Sequence, residues 1–136
     1  MRLTILAAVA AVASASHVLQ VNPLPMGSFD VMVDGELWLQ SDEVMVRADG
    51  QEFRASNATL KLLNNETFSG SDGYGDFTGV ASTWQAGSAQ VTTVLRAYAS
   101  ENIAIFSTFY DTAATEVTCG DRDSTVSSFP SWNVSA

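Results

Sequence analysis

The sequence predicts an all-β domain built as an antiparallel β-sandwich. Three observations carry that expectation: short stretches with an apolar residue at every second position, two Asp-Gly pairs set between such stretches, and no helix-period segment beyond the first fifteen residues. Alternation turns one face of a strand toward a core and the other toward water. Asp-Gly supplies the two positive-φ residues that a tight hairpin requires.

The chain has 136 residues, the length of one domain. It opens on "MRLTILAAVAAVASA", with a basic start at Arg2, an apolar run from Leu3 to Ala13, and the small-x-small triplet Ala13-Ser14-Ala15. That pattern is a secretory signal, with cleavage expected after Ala15. The run is well short of the roughly 20 residues of a membrane helix, and the end, "FPSWNVSA", lacks a lipid-anchor tail. The expected product is secreted and extracellular, with no membrane attachment after cleavage.

Residues 16–27, including "VNPLPMG", read as an extended lead-in, because the prolines disfavour both helix and central strand. The sandwich is expected over 28–136. "SFDVMV" places Phe29, Val31 and Val33 on one face, Asp34-Gly35 turns the chain, and "ELWLQ" returns. "EVMVRA" and "QEFRA" repeat the arrangement around Asp49-Gly50. "TLKLL" is a further strand, expected to end in the polar turn "NNET".

The glycine-rich "SGSDGYGDFTGVASTWQAG" follows, then "AQVTTVLRAYA", a turn at Ser100-Glu101-Asn102, and "IAIFSTFY". A short strand "TEVTC" precedes the loop "GDRDSTVSS".

The formal net charge of −9, more negative still once Arg2 is removed, excludes nucleic acid as an expected partner. Arg47, Arg54, Lys61, Arg96 and Arg122 are scattered and form no basic stripe. Three N-x-S/T sequons, at Asn57, Asn65 and Asn133, fit a secreted glycoprotein. Cys119 is the single cysteine and reads as a small buried hydrophobe.

Catalytic constellations run short of ligands. His17 is the single histidine, so a copper clamp at a processed N-terminus lacks its second imidazole. A Cys–His pair or a Ser-His-Asp triad would depend on the same residue in the lead-in. The carboxylates of "DGYGD" (Asp72, Asp76) and "DRDST" (Asp121, Asp123) are spaced closely enough for calcium. Counting from Asp72 the twelfth residue is Thr83, and from Asp121 the sixth is Val126, so neither is an EF-hand loop. No metal and no cofactor is expected. As glycosidase acid–base pairs, Asp72 with Asp76 and Asp121 with Asp123 are neighbours by sequence alone. Tyr74, Trp84 and Trp132 are the rings on which a sugar face could pack, although Trp84 inside "FTGVASTWQA" reads first as core.

Taken in order, "DGELWLQSDEV", "DGQEFRASNATLKL", "GSDGYGDFTGVASTWQAG", "VLRAYASENIAIFSTFY" and "DSTVSSFPSW" resemble the N-terminal β-sandwich region of secreted or vacuolar glycoside hydrolases of the α-galactosidase and raffinose-synthase (seed-imbibition) type. The resemblance spans roughly residues 28 to 132. It implies a large, supersandwich-like antiparallel domain standing before a catalytic (β/α)₈ barrel. It makes Asp72 to Phe77 a glycine-rich turn entering a central strand, with Trp84 packed inward. In that family the catalytic aspartates lie on the barrel, and none of Asp72, Asp76, Asp121 or Asp123 matches them.

The chain is therefore expected to be the front part of a larger domain: a non-catalytic sandwich of a glycoside-hydrolase-like protein that supports carbohydrate processing. The alternative is a free-standing secreted carbohydrate-binding or surface-interaction module. Asp72, Tyr74, Asp76 and Trp84 are the ligand-binding candidates, and carbohydrate the expected partner. Self-association through an unpaired, apolar sheet edge is also expected, since "IAIFSTFY" and "TEVTC" have no following strands to cover them.

Overall fold

A computed structural model describes residues 17–112 and 127–133. The expected signal segment, the strand "TEVTC", Cys119, Asp121 and Asp123 lie outside the described residues. Strands β1 (Leu19–Pro23), β2 (Phe29–Val33) and β3 (Glu36–Gln40) form one sheet in the order β1-β2-β3. A second sheet is the hairpin of β4 (Met45–Ala48) and β5 (Gln51–Arg54). The third is a four-stranded meander of β6 (Lys61–Asp72), β7 (Gly75–Ala86), β8 (Ala89–Tyr98) and β9 (Ile103–Tyr110). All pairings are antiparallel.

Both Asp-Gly turns form as the sequence predicts. Asp34 and Gly35 take φ of 53° and 83°, and Asp49 and Gly50 take 50° and 68°. Two consecutive positive-φ residues make the turn whose twist matches that of the flanking strands. The Ser100-Glu101-Asn102 turn also forms, with Asn102 at φ 55°.

The two smaller sheets cover one face of the meander, giving a sandwich-like arrangement. Opposed residues share a face, so the pairs Trp84↔Val91 and Leu95↔Phe106 define the inner side. Against it pack Val44, Val46, Ala48 and Leu60 in one buried cluster, and Phe29 and Val31 in another. Residues 127–133 close the gap between them. Met45 N–H donates to Ser128 Oγ and Ser128 N–H returns to the Met45 carbonyl, while Phe129 and Trp132 pack edge-on against Phe29. Each such ring pair adds about 0.5–1.5 kcal/mol beyond its area burial.

Trp84 is the pivot of the larger cluster and is fully buried. Its indole N–H donates to Thr93 Oγ1 at 3.0 Å, Thr93 donates to the Ser82 carbonyl, and Ser82 Oγ donates to Asn65 Oδ1 at 2.9 Å. The polar atoms carried inward with the ring are thus satisfied. Gly27 lies flat against that ring: a Cβ there would stand 2.5 Å from Trp84 Cζ2, and the residue holds φ +71°.

Two expectations need correction. The lead-in is not merely extended: Leu19–Pro23 is a paired edge strand from Leu19↔Val33 to Pro23↔Phe29. An edge strand tolerates proline where its missing N–H faces away from the ladder, and here Pro23 ends the strand. The second proline then starts the short 3₁₀ turn Pro25–Gly27. "NNET" is not a turn but the middle of β6, which pairs with β7 over its length apart from a register shift between Leu62 and Asn64. Polar side chains suit β6 because it is an edge strand with nearly every residue exposed. Pairing with β7 outweighs their weak strand propensity.

Candidate functional site

The glycine-rich stretch forms the β6–β7 hairpin, with Asp72 opposite Gly75 across the Gly73-Tyr74 turn. Asp72 Oδ1 accepts the Tyr74 backbone N–H at 2.9 Å, and Asp72 Oδ2 accepts the Tyr98 hydroxyl at 2.7 Å. Arg96 Nη1 stands 3.6 Å from the same oxygen, and its guanidinium lies over the Phe77 ring. These partners hold the Asp72 carboxyl below its ordinary range, the Tyr74 N–H contributing most. Burial first, and then the bond to Asp72, push the Tyr98 phenol up. The carboxylate is thereby committed to shaping the turn.

The structure brings Asp72 and Tyr74 together, sets Asp76 in the adjacent pair of the same hairpin on its opposite face, and places Trp84 far from them. Tyr74 is exposed and meets Tyr98 edge-on. Asp76, on β7, pairs with Ser71 across the hairpin. Trp84, at the far end of β7, is sealed in the core and has no face for a ligand, which corrects its place among the binding candidates. Trp132 is half-buried against Phe29 and Phe106. Among the described residues no group of three His, Cys, Asp or Glu converges on a metal position.

A different ring is presented to solvent. Trp38 is 69 % exposed, the most exposed of the large apolar side chains described, and Leu37 and Leu39 beside it are exposed too. Trp38 sits at a β-bulge in a strand whose five residues are all exposed. Val31 opposes Leu39 while Met32 opposes Leu37, so the β3 side of the ladder holds one residue more. Glu36 pairs with Val33, and Leu39 with Val31, both on the inward face of β2. Counting from either end, Trp38 and Leu39 then both fall on that face, where a regular strand has room for one. Bulges of this kind re-aim a side chain at a sheet edge.

Trp38 borders an open hollow of about 490 Å³, lined also by His17, Leu19, Val33, Asp34 and Asn102. Its polar rim is built by the turns. Asp34 accepts the Val18 N–H on Oδ1 at 2.9 Å and meets His17 Nδ1 with Oδ2 at 2.6 Å. The bond to Asp34 and the charge of its carboxylate raise the His17 pKa, and the same bond, with that from Val18, lowers that of Asp34. Asn102 Oδ1 accepts the Leu19 N–H at 2.9 Å.

The hollow thus offers an exposed indole face, a carboxylate, an imidazole and an amide donor. Sequence reasoning missed Trp38 because "ELWLQ" was legible only as a return strand. The available signal was the run Leu37-Trp38-Leu39, three consecutive apolar residues where half-buried strands alternate. No family model, no curated protein and no solved structure matches the chain.

Proposed function

We propose that this chain is a non-catalytic β-sandwich module of a secreted, glycoside-hydrolase-like protein, and that it supports carbohydrate processing by holding a sugar chain on Trp38. The observation that carries the reading is the exposed indole of Trp38 at the mouth of a hollow rimmed by Asp34, His17 and Asn102. Sugar rings have apolar C–H faces that pack on aromatic rings, and hydroxyls that pair with carboxylate and amide groups. Indole and polar rim supply both parts. The order of segments resembling the sandwich region of α-galactosidase-type enzymes supports the same reading.

Affinity electrophoresis through gels containing galactomannan, xylan, starch or mixed-linkage glucan tests the proposal. The wild-type chain is expected to be retarded in at least one gel, and Trp38→Ala to weaken that interaction at least about tenfold, the factor that 1.4 kcal/mol represents. Thermal stability of the variant should stay within about 0.5 kcal/mol of wild type, because an exposed side chain is removed. Migration unaffected by every polysaccharide, or equal retardation of Trp38→Ala, overturns it.

A further inference from the structure

The three sequons are equivalent as text, but the fold makes them unlike. At Asn57-Ala58-Thr59 the loop between β5 and β6 folds back on itself, with Ala58 at φ 59°. Asn57 Oδ1 accepts both the Thr59 hydroxyl, at 2.6 Å, and the Thr59 backbone N–H, at 3.1 Å. A backbone N–H can only donate, so the atom it meets is the amide oxygen and Nδ2 is turned outward. All three residues are exposed. This Asx turn puts hydroxyl and amide in contact, polarises the amide carbonyl and presents its nitrogen to solvent.

At Asn65-Glu66-Thr67 the backbone is extended within β6. Residues i and i+2 of a strand share a face but stand roughly 6–7 Å apart, at 3.2–3.4 Å per residue, so the Thr67 hydroxyl is held away from the amide. Asn65 Oδ1 instead accepts from Ser82 Oγ at 2.9 Å, and Ser82 is buried. In Asn133-Val134-Ser135 the last two residues lie outside the described residues.

The structure assigns Asn57 as the glycan attachment site of the folded chain, in preference to Asn65. The co-substrate is an oligosaccharide carried on a lipid diphosphate. In the transfer, Asn57 Nδ2 forms a bond to the anomeric carbon, and the bond from that carbon to the diphosphate oxygen breaks. The electron pair leaves on the lipid diphosphate, and one Nδ2 proton passes to a base of the transferase. Nothing is oxidised or reduced. This assignment is independent of the sugar-binding reading of Trp38.

The test incubates the purified, folded full chain with a single-subunit oligosaccharyltransferase and a lipid-diphosphate oligosaccharide, and maps the glycopeptides by mass spectrometry. Most early product is expected on Asn57, with Asn65 modified at least about tenfold more slowly. Thr59→Ser, which keeps a hydroxyl, should retain the reaction. Thr59→Val, which keeps the shape and loses the hydroxyl, should abolish it, with circular dichroism confirming the fold of each variant. Asn57 left unmodified by an enzyme that glycosylates a control peptide, or Asn65 modified as fast as Asn57, overturns the assignment. The reaction uses purified chain, so its failure is distinct from a failure of secretion.

Discussion

The Tyr98 hydroxyl, at the end of β8, donates to the carboxylate of Asp72, at the end of β6, at 2.7 Å. Two strands that are not neighbours in the sheet are thereby joined across β7. The same carboxylate caps the Tyr74 N–H, so the tip of the long hairpin is fixed by one side chain.

This geometry has a pH signature. Folding lowers the Asp72 pKa below 3.8, so its contribution is present above 3.8 and is lost as pH falls through the folded-state value. Replacing Asp72 by Asn should flatten the acid limb of stability against pH while leaving the sheet intact. Urea melts between pH 2 and 6 measure it, and identical acid limbs for wild type and Asp72→Asn would show that the carboxylate is not coupled to folding.

A second titration isolates His17, the single histidine of the chain. Its folded pKa is raised above 6.5, so the pairing is present below 6.5 and is lost as pH rises through the folded value. Asp34 is lowered below 3.8, so its share is present above 3.8 and is lost as pH falls. The pair is at full strength between those limits. The imidazole proton resonances should titrate above the ordinary histidine midpoint and move back toward it in Asp34→Asn. Both groups are exposed, so added salt should narrow the difference. A midpoint unmoved by Asp34→Asn would refute the pairing.

Core packing can be read through Gly27 and Trp84. Trp84→Ala should cost about 3–5 kcal/mol, as truncation of a buried large ring does. Gly27→Ala should cost more than about 1 kcal/mol, since φ +71° and a 2.5 Å approach to Cζ2 both oppose a Cβ. Trp84→Phe removes the six-membered ring that Gly27 touches. The double variant Gly27→Ala/Trp84→Phe should therefore be less destabilised than the sum of the two, by about 0.5–3 kcal/mol in chemical denaturation. Strict additivity would place the constraint on Gly27 in its backbone alone.

Particular residues show how much of this the sequence carried. Asp34-Gly35 and Asp49-Gly50 disclosed two hairpins because a turn with two positive φ values is chosen locally. Trp84 was legible as core because it sits in phase with β-strand alternation. "NNET" was misread because edge-strand residues obey a partner strand, and the partner lies more than ten residues away in sequence. Pro23 marked an extended, non-central segment correctly, but proline gave no sign that the segment pairs as an edge strand ending there. At the candidate site, Asp72 and Tyr74 were found together as expected, because the turn that joins them is local. The Trp38 hollow gathers His17, Asp34 and Asn102 from three distant segments, and no local pattern reports such a meeting.

The bulge beside Trp38 yields the last prediction. On either side of it the ladder runs regularly, from Val33↔Glu36 to Met32↔Leu37, and then from Val31↔Leu39 to Asp30↔Gln40. Deleting Trp38 brings both halves into one register: Leu39 moves into its place opposite Val31, and the Asp34-Gly35 turn and the Ser41↔Trp132 bridge are left as they are. The deletion leaves the flanking pairs of the ladder in register, so its cost to the fold is expected to be local. The deletion variant should therefore melt cooperatively, within about 4 °C of wild type, a shift of roughly 1 kcal/mol for a domain of this size, and lose polysaccharide retardation. Deleting Leu39 instead also makes the ladder regular but keeps an indole opposite Val31. Its affinity should fall between wild type and the Trp38 deletion, since the ring remains without the aim that the bulge gives it. Calorimetry and affinity electrophoresis on the three chains decide the matter. If both deletions melt far below wild type, the extra residue is a requirement of the fold, and the bulge loses its place in the argument for a sugar site.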